Sequence, residues 1–169
     1  MTPTISTERL SLRHLTKSSP DQIRWLNDPE IMRYSEQRHQ HHTQFSQINY
    51  VNSYKDGSHI WAIHRLDVKK HIGNLTATYD APNRLADVGI LIGEADQWGR
   101  GYGAEAWNAA CSWLLGDGDV RKLEAGCMRS NEAMMKIIRK SGFKQEGERA
   151  NHFLAGGSPV SAMLYGRFK

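Results

Sequence analysis

The sequence predicts a mixed α/β (α+β) protein with helices on both faces of one sheet. Three features carry that expectation: strand-like alternation through residues 7–12 and 60–92, two strand-then-helix alternations at 87–115 and 122–142, and strand-like segments closing the chain.

From Thr7 the chain places Leu10 and Leu12 on one side and Arg9, Ser11 and Arg13 on the other, as in a half-buried strand. A short helix follows, with Asp21 as its cap and Ile23, Trp25 and Leu26 apolar. Asp28-Pro29 stops it, because the residue before a proline is driven out of the α region. A second short helix is expected from Pro29. A third starts at Thr43, with Phe45, Ile48 and Val51 inward and an end near Asp56-Gly57. Residues 60–65 and 72–77 read as antiparallel neighbours across the charged turn 67–70. After a turn at 80–84, residues 87–92 are the most apolar strand and belong at the sheet centre. A glycine-rich loop, 99–103, enters a helix over 104–115 whose Trp107, Ala110, Cys111 and Leu114 share a face and which Gly116 stops. Residues 122–127 form a further strand. Asn131 caps a helix with Ala133, Met134, Ile137 and Ile138 apolar, and Gly142 closes it. Residues 143–147 and 160–168 are two closing strands around the loop Ala155-Gly156-Gly157.

The length, 169 residues, suits a single domain, 1–169, burying roughly 70% of its unfolded surface. No apolar run reaches the ~20 residues of a membrane span, and residues 1–10 are polar where a signal peptide is apolar, so a cytoplasmic protein is expected. Cys111 and Cys127 lack CxxC spacing and read as buried thiols, which argues against a disulfide framework or zinc knuckle. The net charge of +4 comes from scattered basic residues, enough for a small anionic ligand and without the stripe a nucleic-acid binder needs.

The most informative segment is Gln97-Trp98-Gly99-Arg100-Gly101-Tyr102-Gly103-Ala104. Its glycines let backbone N–H groups converge, and the following helix adds its positive end, a construction suited to a phosphate or pyrophosphate, with Arg100 adding charge. A tight turn requiring φ > 0 and holding no ligand fits the glycines equally well. The spacing G-x-G-x-G matches neither the dinucleotide fingerprint nor a P-loop.

This segment resembles motif A of the Gcn5-related N-acetyltransferase (GNAT) superfamily, (Gln/Arg)-x-x-Gly-x-(Gly/Ala), whose backbone amides hold the pyrophosphate of acetyl-CoA. The run from Asn131 to Lys140-Ser141-Gly142-Phe143 resembles motif B, a helix opening with Asn and ending in Lys-x-Gly-Phe. Thr7-Glu8-Arg9-Leu10-Ser11-Leu12-Arg13 and Trp25-Leu26-Asn27-Asp28-Pro29-Glu30 resemble the branch containing the RimJ and RimL ribosomal-protein acetyltransferases, so the likeness covers nearly the whole chain. It implies a mostly antiparallel sheet of about six or seven strands. It also implies an acetyl-CoA-dependent N-acetyltransferase that moves the acetyl group directly to a primary amine. The acceptor expected is a small amine such as an amino sugar, with a protein N-terminus, or a catalytically silent acyl-CoA-binding module, as alternatives. The resemblance implies cofactor contacts from Leu91 or Ile92, Trp98, Gly99, Arg100, Gly101, Tyr102, Gly103, Ala104, Asn131 and Lys136. Three departures stand out: Trp98 replaces the motif's Gln or Arg, Met134 a Ser, and Ile138 the Tyr that protonates the leaving thiolate in other branches.

Amine attack on a thioester requires a neutral nitrogen, whereas α-amino and lysine groups titrate near 7.7–8.0 and 10.4, so a base is needed. Asp87 stands where similar family members place a catalytic glutamate, and by strand period it shares a face with Gly89 and Leu91 while Val88, Ile90 and Ile92 face the core. Capping the preceding turn is an equal alternative for Asp87; as a base it would need a water relay or a raised pKa. Cys127, Tyr165 and His152 are candidate acids, with bulk water as a further one. The polar segment containing Tyr34, Glu36, Gln37, Arg38 and His39 is expected to recognise the acceptor. His39, His41 and His42 have no Asp, Glu or Cys at ligand spacing, so no metal is expected. No nucleic-acid or membrane partner is expected, and the chain would act as a monomer or homodimer.

Overall fold

In the computed structural model of the chain, residues 2–116 and 119–169 are described. A two-residue strand, β1 (Ile5–Ser6), pairs with β2 (Leu10–His14), whose Leu10 and Leu12 are fully buried as their alternation predicts. Helix α1 (Pro20–Leu26) begins at Ser19, not Asp21: the Ser19 hydroxyl accepts the Gln22 N–H, and Pro20 takes the first turn, where its missing N–H costs nothing. No helix starts at Pro29. The carboxylate of Asp28 accepts the N–H groups of Glu30 and Ile31, and the chain continues as turns into a single 3₁₀ turn, Glu36–His39.

Helix α2 (Gln44–Asn52) starts at Thr43 in a reciprocal capping box with Ser46. Its inward side differs from the expected one. Phe45 is 74% exposed and Ile48 42%, while Gln47 and Val51 are buried. A three-residue repeat drifts round a helix with 3.6 residues per turn, and the buried stripe here includes a polar position.

Strands β3 (His59–Arg65), β4 (His71–Asp80) and β5 (Leu85–Ile92) form an antiparallel meander, followed by α3 (Tyr102–Gly116), β6 (Lys122–Met128), α4 (Glu132–Lys140), β7 (Lys144–Ala155) and β8 (Ser158–Phe168). The sheet order is β1-β2-β3-β4-β5-β6-β8-β7, with β5 central and, among the described residues, only the β5–β6 pair parallel. Among the described residues that makes eight strands where about six or seven are expected, since the two residues of β1 are too few to leave an alternation in the sequence. β7 runs eight residues beyond the expected end at Gly147. It is an edge strand with almost no buried side chain, and its pairing with β8 shifts register between Gln145 and Gly147 and again between Arg149 and Phe153.

Helices cover both faces. Trp61 and Ile63 of β3, Leu75 and Ala77 of β4, and Ala86 and Val88 of β5 pack with Ala106, Trp107, Ala110, Cys111 and Leu114 of α3. On the other face Ile60 and Ala62 meet Val51 of α2. β3 therefore reads as a continuous apolar run because both of its faces are covered.

Helix α1 is fastened to the loop after β5 by one carboxylate. Glu94, 7% exposed, accepts Trp25 Nε1–H at 2.8 Å and Arg24 at 2.6 Å on one oxygen, and Lys70 at 2.7 Å on the other. Beneath it the Trp25 indole lies so close to Gly93 that any Cβ there would overlap the ring. Burial alone would raise the Glu94 pKa, but the bonds from Lys70, Trp25 and Arg24 outweigh it and hold the carboxyl below its ordinary value. A depressed carboxyl pKa contributes stability that is complete above the ordinary glutamate range and lost as pH falls through the native value. Glu94→Gln is expected to lower the unfolding free energy by about 2 kcal/mol at pH 7. Urea titration reads this, and the gap between the two proteins should close as the pH is lowered below 4.

Candidate active site

The register of β5 creates the site. Leu85, Ala86 and Asp87 pair with Lys122, Leu123 and Glu124, and there the β5–β6 ladder ends, although β5 stays paired with β4 to Ile92 and β6 with β8 to Met128. The two strands splay from Val88 onward. Directly opposed residues of a strand pair share a face, and the N–H and C=O of one strand residue point to the same side. A Cβ on Gly73 would run into the Leu91 carbonyl oxygen, so the polar groups of Leu91 face β4. The carbonyl of Ile92 turns the other way and accepts Trp98 Nε1–H at 2.8 Å. Of the two expected amides, therefore, that of Ile92 borders the opening and that of Leu91 does not.

A cleft of about 530 Å³ fills this splay, bordered by Gly89 and Ile92 of β5, Gly126 and Cys127 of β6, Asn131 and Ala133 at the start of α4, and Trp98, Gly99 and Gly103 of the glycine loop. Gly99 (φ 74°) and Gly101 (φ 83°) are left-handed, and no atom would lie within 4 Å of a Cβ at Gly99. Conformation, and not crowding, demands that glycine, and its outer side is open. Trp98, where the motif has Gln or Arg, ties the loop to the end of β5 through the indole bond. The first segment of the chain holds the loop from behind: Arg9 donates to the Arg100 carbonyl at 3.0 Å, lies over the Tyr102 ring at 4.5 Å, and pairs with Glu105, which also accepts Thr7 Oγ1–H at 2.6 Å. Tyr102 is 8% exposed and belongs to the core, and Arg100 Nε bonds the Asp96 carbonyl. Lys136 borders a separate shallow hollow with Glu132, Met135 and Arg139.

Among the residues expected to recognise the acceptor, Tyr34 and Gln37 border the cleft. Glu36, Arg38 and His39 do not: Arg38 donates to Glu36 and to the Leu154 carbonyl, and His39 lies 3.8 Å from Glu36. The cleft wall instead contains a buried amide chain that composition could not reveal. His42 Nε2 bonds the Gln37 carbonyl at 3.0 Å, which requires a hydrogen on Nε2 and leaves neutral Nδ1 to accept Gln47 Nε2–H at 3.0 Å. Gln47 Oε1 accepts Gln22 Nε2–H at 3.3 Å. The chain ends on Gln22 Oε1, buried without a partner among the described residues.

Asp87 lies on the same strand face as Gly89, two residues below the cleft. Its side chain reaches solvent, yet the surrounding protein strips much of its hydration and Glu124 adds like charge, so its pKa is pushed up to about 6. Among the candidate acids, Cys127 borders the cleft, and burial pushes its thiol up to about 11. Tyr165 is sealed in the core, its hydroxyl unpartnered among the described residues, and His152 is exposed beside Phe153.

Strand splay, glycine loop and helix together are the arrangement of an acyltransferase cleft, and comparison with known proteins agrees. The acetyltransferase (GNAT) domain profile matches residues 9–144. The chain belongs to the GNAT acetyltransferase family. It is 26% identical over 171 residues to the uncharacterized N-acetyltransferase YoaA of Bacillus subtilis (strain 168), covering 98% of this chain and 96% of that protein. Its fold matches that of RimL, the ribosomal L7/L12 alpha-N-protein acetyltransferase in complex with coenzyme A (TM-score 0.83, 16% identity, 98% of both chains). It also matches spermidine N-acetyltransferase from Vibrio cholerae in complex with CoA and spermine (TM-score 0.79, 17% identity, 96% of both chains). Among the described residues no group of three or more His, Cys, Asp or Glu could hold a metal, and no helix is long and apolar enough to cross a membrane.

The loop conformation makes a differential prediction. Gly101→Ala, forced to φ near 83°, should cost about 1–2 kcal/mol in urea unfolding. Gly103→Ala, inside α3 and meeting only ordinary contacts with Ile137 and Ile92, should leave stability unchanged or raise it by up to about 1 kcal/mol.

Proposed function

We propose that this chain transfers the acetyl group of acetyl-CoA directly to a primary amine, without a covalent enzyme intermediate. The observation that carries this reading is the ladder ending at Asp87 and Glu124, which leaves an unpaired strand edge beside a glycine loop and the N-terminus of a fifteen-residue helix.

Acetyl-CoA supplies the activated acyl carbon. The backbone of Gly99 to Ala104 and the amides opening α3 offer converging donors and a positive dipole end to its pyrophosphate, and Arg100 adds a charge at the rim. The open edge of β5 offers hydrogen bonds to the amides of the pantetheine arm, as an added strand would receive. The Ile92 N–H donates to the thioester carbonyl and stabilises the oxyanion that forms as the amine nitrogen attacks. Asn131 caps α4 through Met134 N–H at 3.2 Å and keeps the β6 side of the cleft in place.

Asp87 takes the proton of the acceptor ammonium through water along the trough past Gly89, since two residues of strand, about 6.6 Å, separate it from the cleft wall. Cys127, protonated at neutral pH, is the cleft-side group able to return a proton to the leaving thiolate as the carbon–sulfur bond breaks. The acceptor stands against Tyr34 and Gln37. A small amine such as an amino sugar suits a cleft with this polar wall, and the likeness to RimL keeps a protein N-terminus as the second reading.

Asp87→Asn is expected to lower kcat at least about 100-fold with the KM for acetyl-CoA unchanged. Because the base works ionised, wild-type kcat/KM should rise with pH through about 6, and the variant should lose that limb. Thiol release from acetyl-CoA across a panel of amino sugars and N-terminal peptides measures both. Unchanged turnover in the variant removes Asp87 from the mechanism.

A further inference from the structure

Asn74 is a buried polar side chain whose amide is locked on one side and free on the other. It is 8% exposed, borders the cleft, and stands opposite Leu91 in the β4–β5 register, two residue pairs from Thr76 and Gly89. Its side chain therefore shares the cleft face with Gly89, beside the stretch where β6 has departed.

His71 decides which way that amide points. Its Nε2 lies 2.9 Å from the Gly73 carbonyl and 2.8 Å from Asn74 Oδ1. A backbone carbonyl can only accept, so Nε2 carries the hydrogen, and Asn74 must offer its oxygen to that same hydrogen. Nδ2 is left over, with two hydrogens and no partner among the described residues. The His71 ring cannot swing away: Trp25 meets it edge-on with centroids 5.0 Å apart, and His64 stacks on it at 5.0 Å. Trp25 is itself pinned by Glu94. A donor held this firmly on a cleft wall and open to the cleft is placed to meet a ligand oxygen.

We infer that Asn74, oriented by His71, is a specificity residue that donates to an oxygen on the acceptor amine, so that amines carrying a hydroxyl or carbonyl near the nitrogen are selected over oxygen-free polyamines. The inference rests on the amine-acetyltransferase reading. Amino sugars supply such an oxygen as a ring hydroxyl, peptide N-termini as the first carbonyl.

The test measures amine affinity for the CoA-loaded protein by calorimetry, alongside KM and kcat with acetyl-CoA. The probes are glucosamine, a serine-initiated peptide, cyclohexylamine and spermidine. Wild type should bind the first pair, or one member of it, in preference to the second, and whichever member binds names the source of the oxygen. Asn74→Leu should weaken binding of that amine about tenfold while affinity for oxygen-free amines and for CoA stays within twofold. Asn74→Asp keeps the bond from His71 and presents an acceptor to the cleft, so it should reverse the preference toward spermidine even if the leucine variant folds poorly. His71→Phe should reproduce part of the loss in KM with kcat little changed, and His71→Gln, which restores a donor to Oδ1, should recover it. Equal losses for both amine classes, a loss falling on CoA, or no oxygen-bearing amine bound by wild type overturns the inference. Selective amine binding without acetyl transfer overturns the acetyltransferase reading and leaves the role of Asn74 standing.

Discussion

Backbone pairing between β5 and β6 lasts for three residue pairs and then stops, in the middle of a sheet whose other long ladders run nearly full length. Interior strands seldom leave backbone groups unpaired, because a buried orphan N–H or C=O costs free energy with nothing in return. Here the cost is avoided because the orphaned groups border an open cleft. Everything else of functional interest is arranged around that opening: the glycine loop and α3 at its upper end, Cys127 and Asn131 across from it, Asn74 on its wall, and Asp87 two residues below it on β5.

The cleft is held from behind by charge and aromatic contacts. Arg9 holds the glycine loop from the back, so the Thr7-to-Arg13 stretch, which reads in the sequence as a strand with a basic outer face, is also the brace of the binding loop. Glu94 plays the corresponding part for α1, and through Trp25 its influence extends to His71 and the Asn74 amide. Removing a member of such a set would displace the cleft wall without touching anything in the cleft.

Much of this was legible from residues alone, for identifiable reasons. The glycine loop and the α3 face are local patterns: Gly99 and Gly101 need left-handed φ, and Trp107, Ala110, Cys111 and Leu114 recur at helical spacing into one core. The splay of β5 from β6 shows only in the register, because no local pattern marks where two strands part. What escaped depends on partners distant in sequence. Gln22, Gln47 and His42 form a polar wall from three separate segments, so the apolar pattern of α2 pointed to Phe45 and Ile48, which face solvent. Asn74 looks like any polar residue interrupting an apolar strand until the register sets it beside Leu91 and the His71 bond fixes its amide.

The margins of the sheet solve a different problem. Any free strand edge is a template on which another polypeptide can continue the ladder, and an eight-stranded sheet has two. One ends in β1, two residues long, too short to template anything. The other is β7, whose twelve residues would be ample, but Lys144, Glu146, Glu148 and Arg149 crowd its first half with charge, and its two register shifts, with Asn151 at φ 51°, break the regular spacing of its backbone groups. A ninth strand would have to copy both irregularities and neutralise the charges. The chain thus keeps an open backbone edge in its interior, where a ligand can be received, while both outer edges are made unfit for runaway polymerisation.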